Sequence, residues 1–207
     1  VPEVVGVNLT KQLKEGITST DLVLYITKLL RDSKVVGSFI EFCGEGVENL
    51  TVGDRATISN MAPEYGATAV LFPVDKATLN YLSMTGRTEE EIKIVEEYSK
   101  YQNLWRKSNT APEYNRVLDL DLSTIEPCVS GPRNPEDKID LDKFSKEINS
   151  HSKMLYNKDL RDDEFEVPTQ GYKIKDADIM IAAITSCTNT ANPKNVIAAG
   201  LIAKKLI

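Results

Sequence analysis

An α/β layered fold is what this sequence of 207 residues predicts, on three observations. Two apolar runs without polar alternation, residues 66–72 (Gly-Ala-Thr-Ala-Val-Leu-Phe) and 178–184 (Asp-Ile-Met-Ile-Ala-Ala-Ile), read as strands buried on both faces, the usual state in a parallel sheet. Stretches with apolar residues at helical spacing stand beside them. Cap and turn signals separate the two kinds of segment, so helix and strand alternate along the chain.

Taken in order, Thr18, Ser19 or Thr20 caps a helix whose apolar face runs Leu22, Val23, Ile26, Leu29 and Leu30, with Asp21 near its positive end. Gly37 breaks that pattern, and residues 38–43 read as a short strand. Gly44-Glu45-Gly46 follows as a tight turn, because the rest of a nucleotide-binding fingerprint is missing. A second helical stretch starts within residues 50–54 and directs Ile58 and Met61 to a core, before the strand that begins at Gly66 and ends at Pro73. Asp75 caps a short helix through Leu79 and Leu82, stopped by Gly86. Thr88-X-X-Glu91 is a capping box for a helix carrying Ile92, Val95 and Tyr98, and Trp105 beyond it reads as a packing anchor. Residues 117–122 alternate apolar and acidic side chains, the pattern of a strand with one wet face.

From 130 to 170 the composition shifts to Pro, Asp, Lys, Glu, Asn and Ser with few apolar anchors, and this reads as a long connection between domains. It holds His151, the only histidine, and the acidic cluster of 162–166, both read as solvated. After the strand at 178–184 comes Pro193, suited to a first helical position, and then Val196, Ile197, Gly200, Leu201 and Leu206 at helical spacing.

Composition bounds the function only loosely. The formal charge of −6 gives no basic footprint for nucleic acid, and no apolar stretch approaches the length of a membrane span. Three cysteines far apart, Cys43, Cys128 and Cys187, form no Cys-X-X-Cys pair and speak for a reducing compartment rather than a disulfide framework. Cys43 and Cys128 read as packing or chance exposure. Cys187 stands apart: it follows the strand at 178–184 and precedes the helix opened by Pro193. That is where open α/β sheets bind ligands and where backbone donors favour a thiolate.

The segment around it, Ile184-Thr185-Ser186-Cys187-Thr188-Asn189-Thr190-Ala191-Asn192-Pro193, closely resembles the first cluster-cysteine segment of the aconitases, in the branch of aconitase A and the cytosolic aconitase/iron-regulatory proteins. Three further stretches resemble the same branch in the same order, at residues 35–42, 54–68 (Asp-Arg-Ala-Thr-Ile-Ser-Asn-Met-Ala-Pro-Glu-Tyr-Gly-Ala-Thr) and 130–138. The resemblance implies a three-layer α/β/α aconitase-type domain over 1–129, a connecting segment over 130–170, and over 171–207 the first strand and helix of the following α/β domain. It implies an internal piece, and the ends agree: the chain opens on Val1-Pro2-Glu3 without Met and closes on Lys204-Lys205-Leu206-Ile207 without a helix stop.

The implied activity is isomerisation of citrate to isocitrate through cis-aconitate with a 4Fe-4S cluster, methylisocitrate and homologous acids being neighbouring substrates. Cys187 would be one of three cluster ligands, leaving one iron open as a Lewis acid. Glu64 matches the family carboxylate facing that labile iron, and Asn60 matches an amide near the cluster. Read without the resemblance, Glu64 is a surface residue at a helix end or turn, and Asn60 a helix-terminal side chain bonding local backbone. The family's histidine–aspartate groups, substrate arginines and serine base match nothing in this sequence. The alternative function is that of a cluster-free regulatory protein gripping an RNA hairpin. A cytoplasmic or mitochondrial location fits either.

Overall fold

The computed structural model describes residues 1–107, 112–181 and 191–207. Four parallel strands, β1 (Val4–Thr10), β2 (Phe39–Cys43), β3 (Ala69–Leu71) and β4 (Arg116–Asp121), form one sheet in the order β3-β2-β1-β4. Helices α1 (Ser19–Asp32), α2 (Val52–Asn60) and the single turn α3 (Ala62–Tyr65) join the first three, since parallel strands need crossover connections between them. The α/β class and the parallel sheet are those expected.

The core lies between these helices and one face of the sheet. Val5, Val7 and Leu9 of β1, Ile40 and Phe42 of β2 and Leu120 of β4 meet Leu22, Val23, Ile26 and Leu30 of α1, Ile58 of α2 and Tyr65 of α3. Each fully buried side chain of this size contributes about 1.5–3 kcal/mol. On the opposite face the ring of Tyr114 fills the space a β-carbon on Gly6 would take, 2.4 Å from its position.

Local chemistry sets the element ends. Thr18 is the cap of α1: its hydroxyl accepts from Asp21 N–H at 3.2 Å and the Asp21 carboxylate accepts from Thr18 N–H at 2.8 Å. Gly44 turns the chain out of β2 at φ 88°, where a β-carbon would sit 2.3 Å from the Leu9 carbonyl oxygen. Asp75 caps α4 (Lys76–Met84), and the Thr88–Glu91 box opens α5 (Glu89–Tyr101), as anticipated. Tyr98, placed on the packed side of α5 by its spacing, is exposed. Asp75 also forms a buried ion pair with Arg55 of α2, at 2.6 and 3.0 Å, while Arg55 donates to the Val47, Leu50 and Pro73 carbonyls.

Three expectations need correction. The strand after Gly66 has only three residues and is half-buried, with Leu71 exposed, because it is the sheet's edge. The stretch 130–170 is not a bare connection: β5 (Cys128–Ser130) and β6 (Lys138–Asp140) make a hairpin against α1 with Ile139 buried, followed by the sixteen-residue helix α6 (Leu141–Tyr156). Apolar side chains at Leu141, Phe144, Ile148 and Leu155 suffice to give α6 an amphipathic face, though none of its residues is buried. Beyond it, β7 (Phe165–Glu166) and β8 (Lys173–Ile174) form a minimal hairpin. Over its described part, 178–181, the buried strand expected at 178–184 is not a strand, and Ile179 and Ile181 are each 90% exposed. No strand among the described residues stands beside it to accept a ladder, and an unpaired strand has nothing to hold it. The final helix α7 (Pro193–Leu206) starts at the predicted proline.

Candidate functional site

Asn60 and Glu64 sit at one end of the α2–α3 pair. Thr51 caps α2 through a reciprocal box with Asp54, and the helix runs to Asn60, its last residue, which lies at the surface. Met61 (φ −91°, ψ 15°) is at once the end of α2 and the start of α3, so the chain bends there and Glu64 falls in the first turn of the next helix. Tyr65 locks this bend: its ring is fully buried and its hydroxyl donates to the Ile58 carbonyl at 2.9 Å. Burial, together with the Glu64 charge beside it, pushes the Tyr65 phenol well above its ordinary range. Gly66 closes α3 in the left-handed region at φ 81°.

Glu64 is half-buried, and one of its oxygens, Oε2, is shielded from solvent with no hydrogen-bond donor among the described residues. A desolvated carboxylate oxygen left without a donor is costly, so it marks a place where a cation or a protonated group belongs. That is not the environment of the surface turn residue which sequence alone suggests for Glu64.

Cys187 lies outside the described residues, and with it the expected strand end at 182–184. The described chain resumes at Ala191. Asn192, five residues beyond Cys187, is the N-cap of α7: its Oδ1 accepts from Lys194 N–H at 3.1 Å. Its Nδ2 donates to Asp54 Oδ1 at 2.8 Å and to Ser19 Oγ at 2.9 Å. Both acceptors belong to the first turns of α2 and α1, and the three side chains are buried. Gly53 of α2 lies against this cap, a β-carbon there falling in van der Waals contact with Pro193 at 3.4 Å and Asn192 at 3.5 Å.

Burial alone would raise the Asp54 carboxyl, yet the hydrogen bonds from Thr51 and Asn192 and the nearby Lys194 charge outweigh it and hold it below the ordinary carboxylate range. Sequence reading missed the Asp54–Asn192 link. Thr51-X-X-Asp54 before an apolar stretch is a capping-box signal for the helix start, but nothing in it foretells a partner so distant along the chain.

The other candidates stay apart from this end. Cys43 and Cys128 are half-buried; burial raises both thiols, Cys128 to about 11, so each keeps its proton at neutral pH. His151 sits on α6 with Nδ1 at 2.9 Å from the Glu147 carbonyl. Trp105 is half-buried, makes a backbone bridge with Val74 and carries Lys100 over its ring at 5.0 Å. A cleft of about 790 Å³ opens over the other face of the sheet, lined by Asn8, Glu41, Cys43, Trp105 and Tyr114, and includes neither Asn60 nor Glu64. Among the described residues no three His, Cys, Asp or Glu side chains converge as metal ligands, and no helix is long and apolar enough to cross a membrane.

Comparison with known proteins gives these features a context. The sequence model of the aconitase family (aconitate hydratase) matches residues 1–206. An aconitate hydratase A of Rickettsia bellii is 51% identical over 211 aligned residues, covering 100% of this chain and 24% of that protein. Proteins of the same name from Legionella pneumophila and Escherichia coli are 49% and 44% identical, again across the whole chain and 23% and 24% of their own length. The chain thus spans about a quarter of the curated relatives it matches. It belongs to the aconitase family.

Proposed function

We propose that the intact protein is an aconitate hydratase that interconverts citrate and isocitrate through cis-aconitate, and that this chain contributes Cys187 to a 4Fe-4S cluster and Glu64 and Asn60 to the surroundings of its open iron. The observation that carries the reading is the identity of 51% along the entire chain to a protein named aconitate hydratase A. Residues 1–129 then correspond to the family's second domain, 130–170 to the connection out of it, and 171–207 to the start of the third.

The residues present fit such a group. The shielded Oε2 of Glu64, with no donor among the described residues, is the kind of oxygen a cation or a protonated oxygen satisfies. The buried anchor at Asn192 stands five residues from the thiol, a span of at most about 18 Å of extended chain, beside the helix whose far end carries Asn60. When bound, a cluster with one open iron supplies a Lewis acid for the substrate's hydroxyl and carboxylate oxygens.

The chain's own residues supply position and proton handling. Dehydration breaks a C–O bond and the C–H bond on the adjacent carbon, and the electron pair of the latter becomes the double bond of cis-aconitate. Glu64, with an oxygen uncommitted to any described donor, gives a proton at Oε2 to the departing hydroxyl and takes one back from the water that returns. Asn60 directs its amide N–H groups at an anionic oxygen or sulfide. The base for the carbon-bound proton lies outside these residues. With a single cluster ligand, the chain by itself holds no cluster and turns over no citrate.

The test is anaerobic iron–sulfide reconstitution of the intact protein, followed by its visible absorption and an aconitate absorbance assay. Glu64→Gln lowers kcat by about a hundredfold or more while the cluster absorption persists. An unchanged kcat would remove Glu64 from the reaction.

A further inference from the structure

We infer that Tyr65 is a positioning residue for the carboxylate of Glu64, resting on the reading of Glu64 as the group that handles the proton. Its hydroxyl bond to the Ile58 carbonyl holds the corner between α2 and α3, and with it the direction in which Glu64 stands relative to Asn60. Asn60 and Glu64 are four residues apart, a spacing that stacks two side chains on one face of a straight helix. The helix is not straight there. Pro63 has no N–H to offer the Ser59 carbonyl, and the chain turns at Met61. The corner, and not the helical repeat, therefore sets how the two side chains stand to each other.

Within α3 the backbone closes on itself. Glu64 N–H donates to the Met61 carbonyl at 3.1 Å, and the Gly66 and Ala67 N–H groups donate to the Pro63 and Ala62 carbonyls at 3.1 and 3.0 Å, the two bonds of a Schellman end. None of these bonds reaches back past Met61 into α2. The Tyr65 hydroxyl does, at 2.9 Å across seven residues, and the loop it closes contains both Asn60 and Glu64.

Two features make this bond an anchor for the carboxylate. Tyr65 is fully buried in the cluster that holds Ile58 of α2 and Leu22, Ile26 and Leu30 of α1, so residues of this chain embed both ends of the bond. Successive residues of a helical turn are about 100° apart, so a Tyr65 ring pinned in the core fixes the rotation of the turn. Glu64 is thereby left at the rim of the buried face, where it is half-buried. The ring alone fills the space; the hydroxyl adds a fixed depth and tilt through a directional bond.

The experiment uses the intact protein. Tyr65→Phe keeps the ring and removes the bond. After anaerobic reconstitution its cluster absorption equals the parent's, KM stays within about twofold, and kcat falls about tenfold, since a small misplacement of a reacting group costs rate and not binding. In the Glu64→Gln background the same change alters kcat by less than about twofold, because Tyr65 acts through that carboxylate. Amide hydrogen exchange in the cluster-free protein gives a readout apart from turnover: residues 61–66 exchange about tenfold faster in Tyr65→Phe while α1 keeps its parental rates. In the parent, the Tyr65, Gly66 and Ala67 amides exchange as slowly as those in the middle of α1, a check that needs no variant to fold.

A parental kcat in Tyr65→Phe, or an equal loss with and without Glu64→Gln, overturns the inference. So does exchange that is unchanged at 61–66, that rises throughout the protein, or that is already free at this corner in the parent. Glu64→Gln by itself separates this from failure of the underlying reading. If it lowers kcat while Tyr65→Phe does not, only the positioning role falls; if it leaves kcat unchanged, both fall.

Discussion

The part of the chain up to Ile139 and the part beyond it hold their structure by different means. Every buried apolar side chain among the described residues lies at or before Ile139, in the sheet, in α1–α3 and in the hairpin against α1. After it, α6 and α7 bury no residue, and α7 exposes Val196, Ile197, Leu201, Ile202 and Leu206. The contrast teaches that helical pattern and burial are separate properties. Among the described residues only polar side chains near the amino end of α7 meet the rest of the chain, whereas α1 is defined by its cap and then fixed by the core. Among the described residues the buried link between the two parts around the candidate site is polar, the amide of Asn192 between Asp54 and Ser19.

Core truncation should break the comparison most sharply. Phe42, fully buried and stacked on Phe72 at 4.5 Å, loses about 3–5 kcal/mol as Phe42→Ala, read from the urea midpoint. In the same chain of 207 residues Ile202→Ala on α7 changes it by less than about 0.5 kcal/mol; similar losses at both positions would mean that α7 packs against a partner in solution. Next in size is Arg55→Met, which leaves Asp75 buried without its cation and costs about 3 kcal/mol or more. Thr18→Ala removes the α1 cap and costs about 1 kcal/mol.

Asp54 sharpens the comparison through pH. Its folded-state value is depressed, so its stabilisation is fully present above the ordinary aspartate value of 3.8 and is lost as the pH falls below that through the folded value. Acid unfolding curves of the parent and Asp54→Asn should therefore converge at low pH and separate above it. Parallel curves would mean that the buried carboxylate gains nothing from its partners.

Much of the amino-terminal part was legible because local chemistry and burial agree there. The Thr18, Asp75 and Thr88 caps and the face of Leu22, Val23, Ile26 and Leu30 are local signals whose outcome the core reinforces. The central strand β1 went unread, although Val5, Val7 and Leu9 alternate with Gly6 and Asn8. Its glycine weakens the signal, while its burial comes from β2 and β4, which pair with it from far along the chain. Residues 178–181 show the reverse: an apolar run states a preference for burial but cannot supply the neighbour that satisfies it. At the candidate site, motif resemblance marked Asn60, Glu64 and Cys187. The shielded oxygen of Glu64 and the Asp54–Asn192 bond come only from tertiary structure.

The most direct measurement of the central claim is the iron and sulfide content of the intact protein with Cys187→Ser, alongside its aconitate hydratase turnover. The account predicts that both are lost while the protein remains folded. A serine variant that retained its iron, its sulfide and its turnover would contradict it.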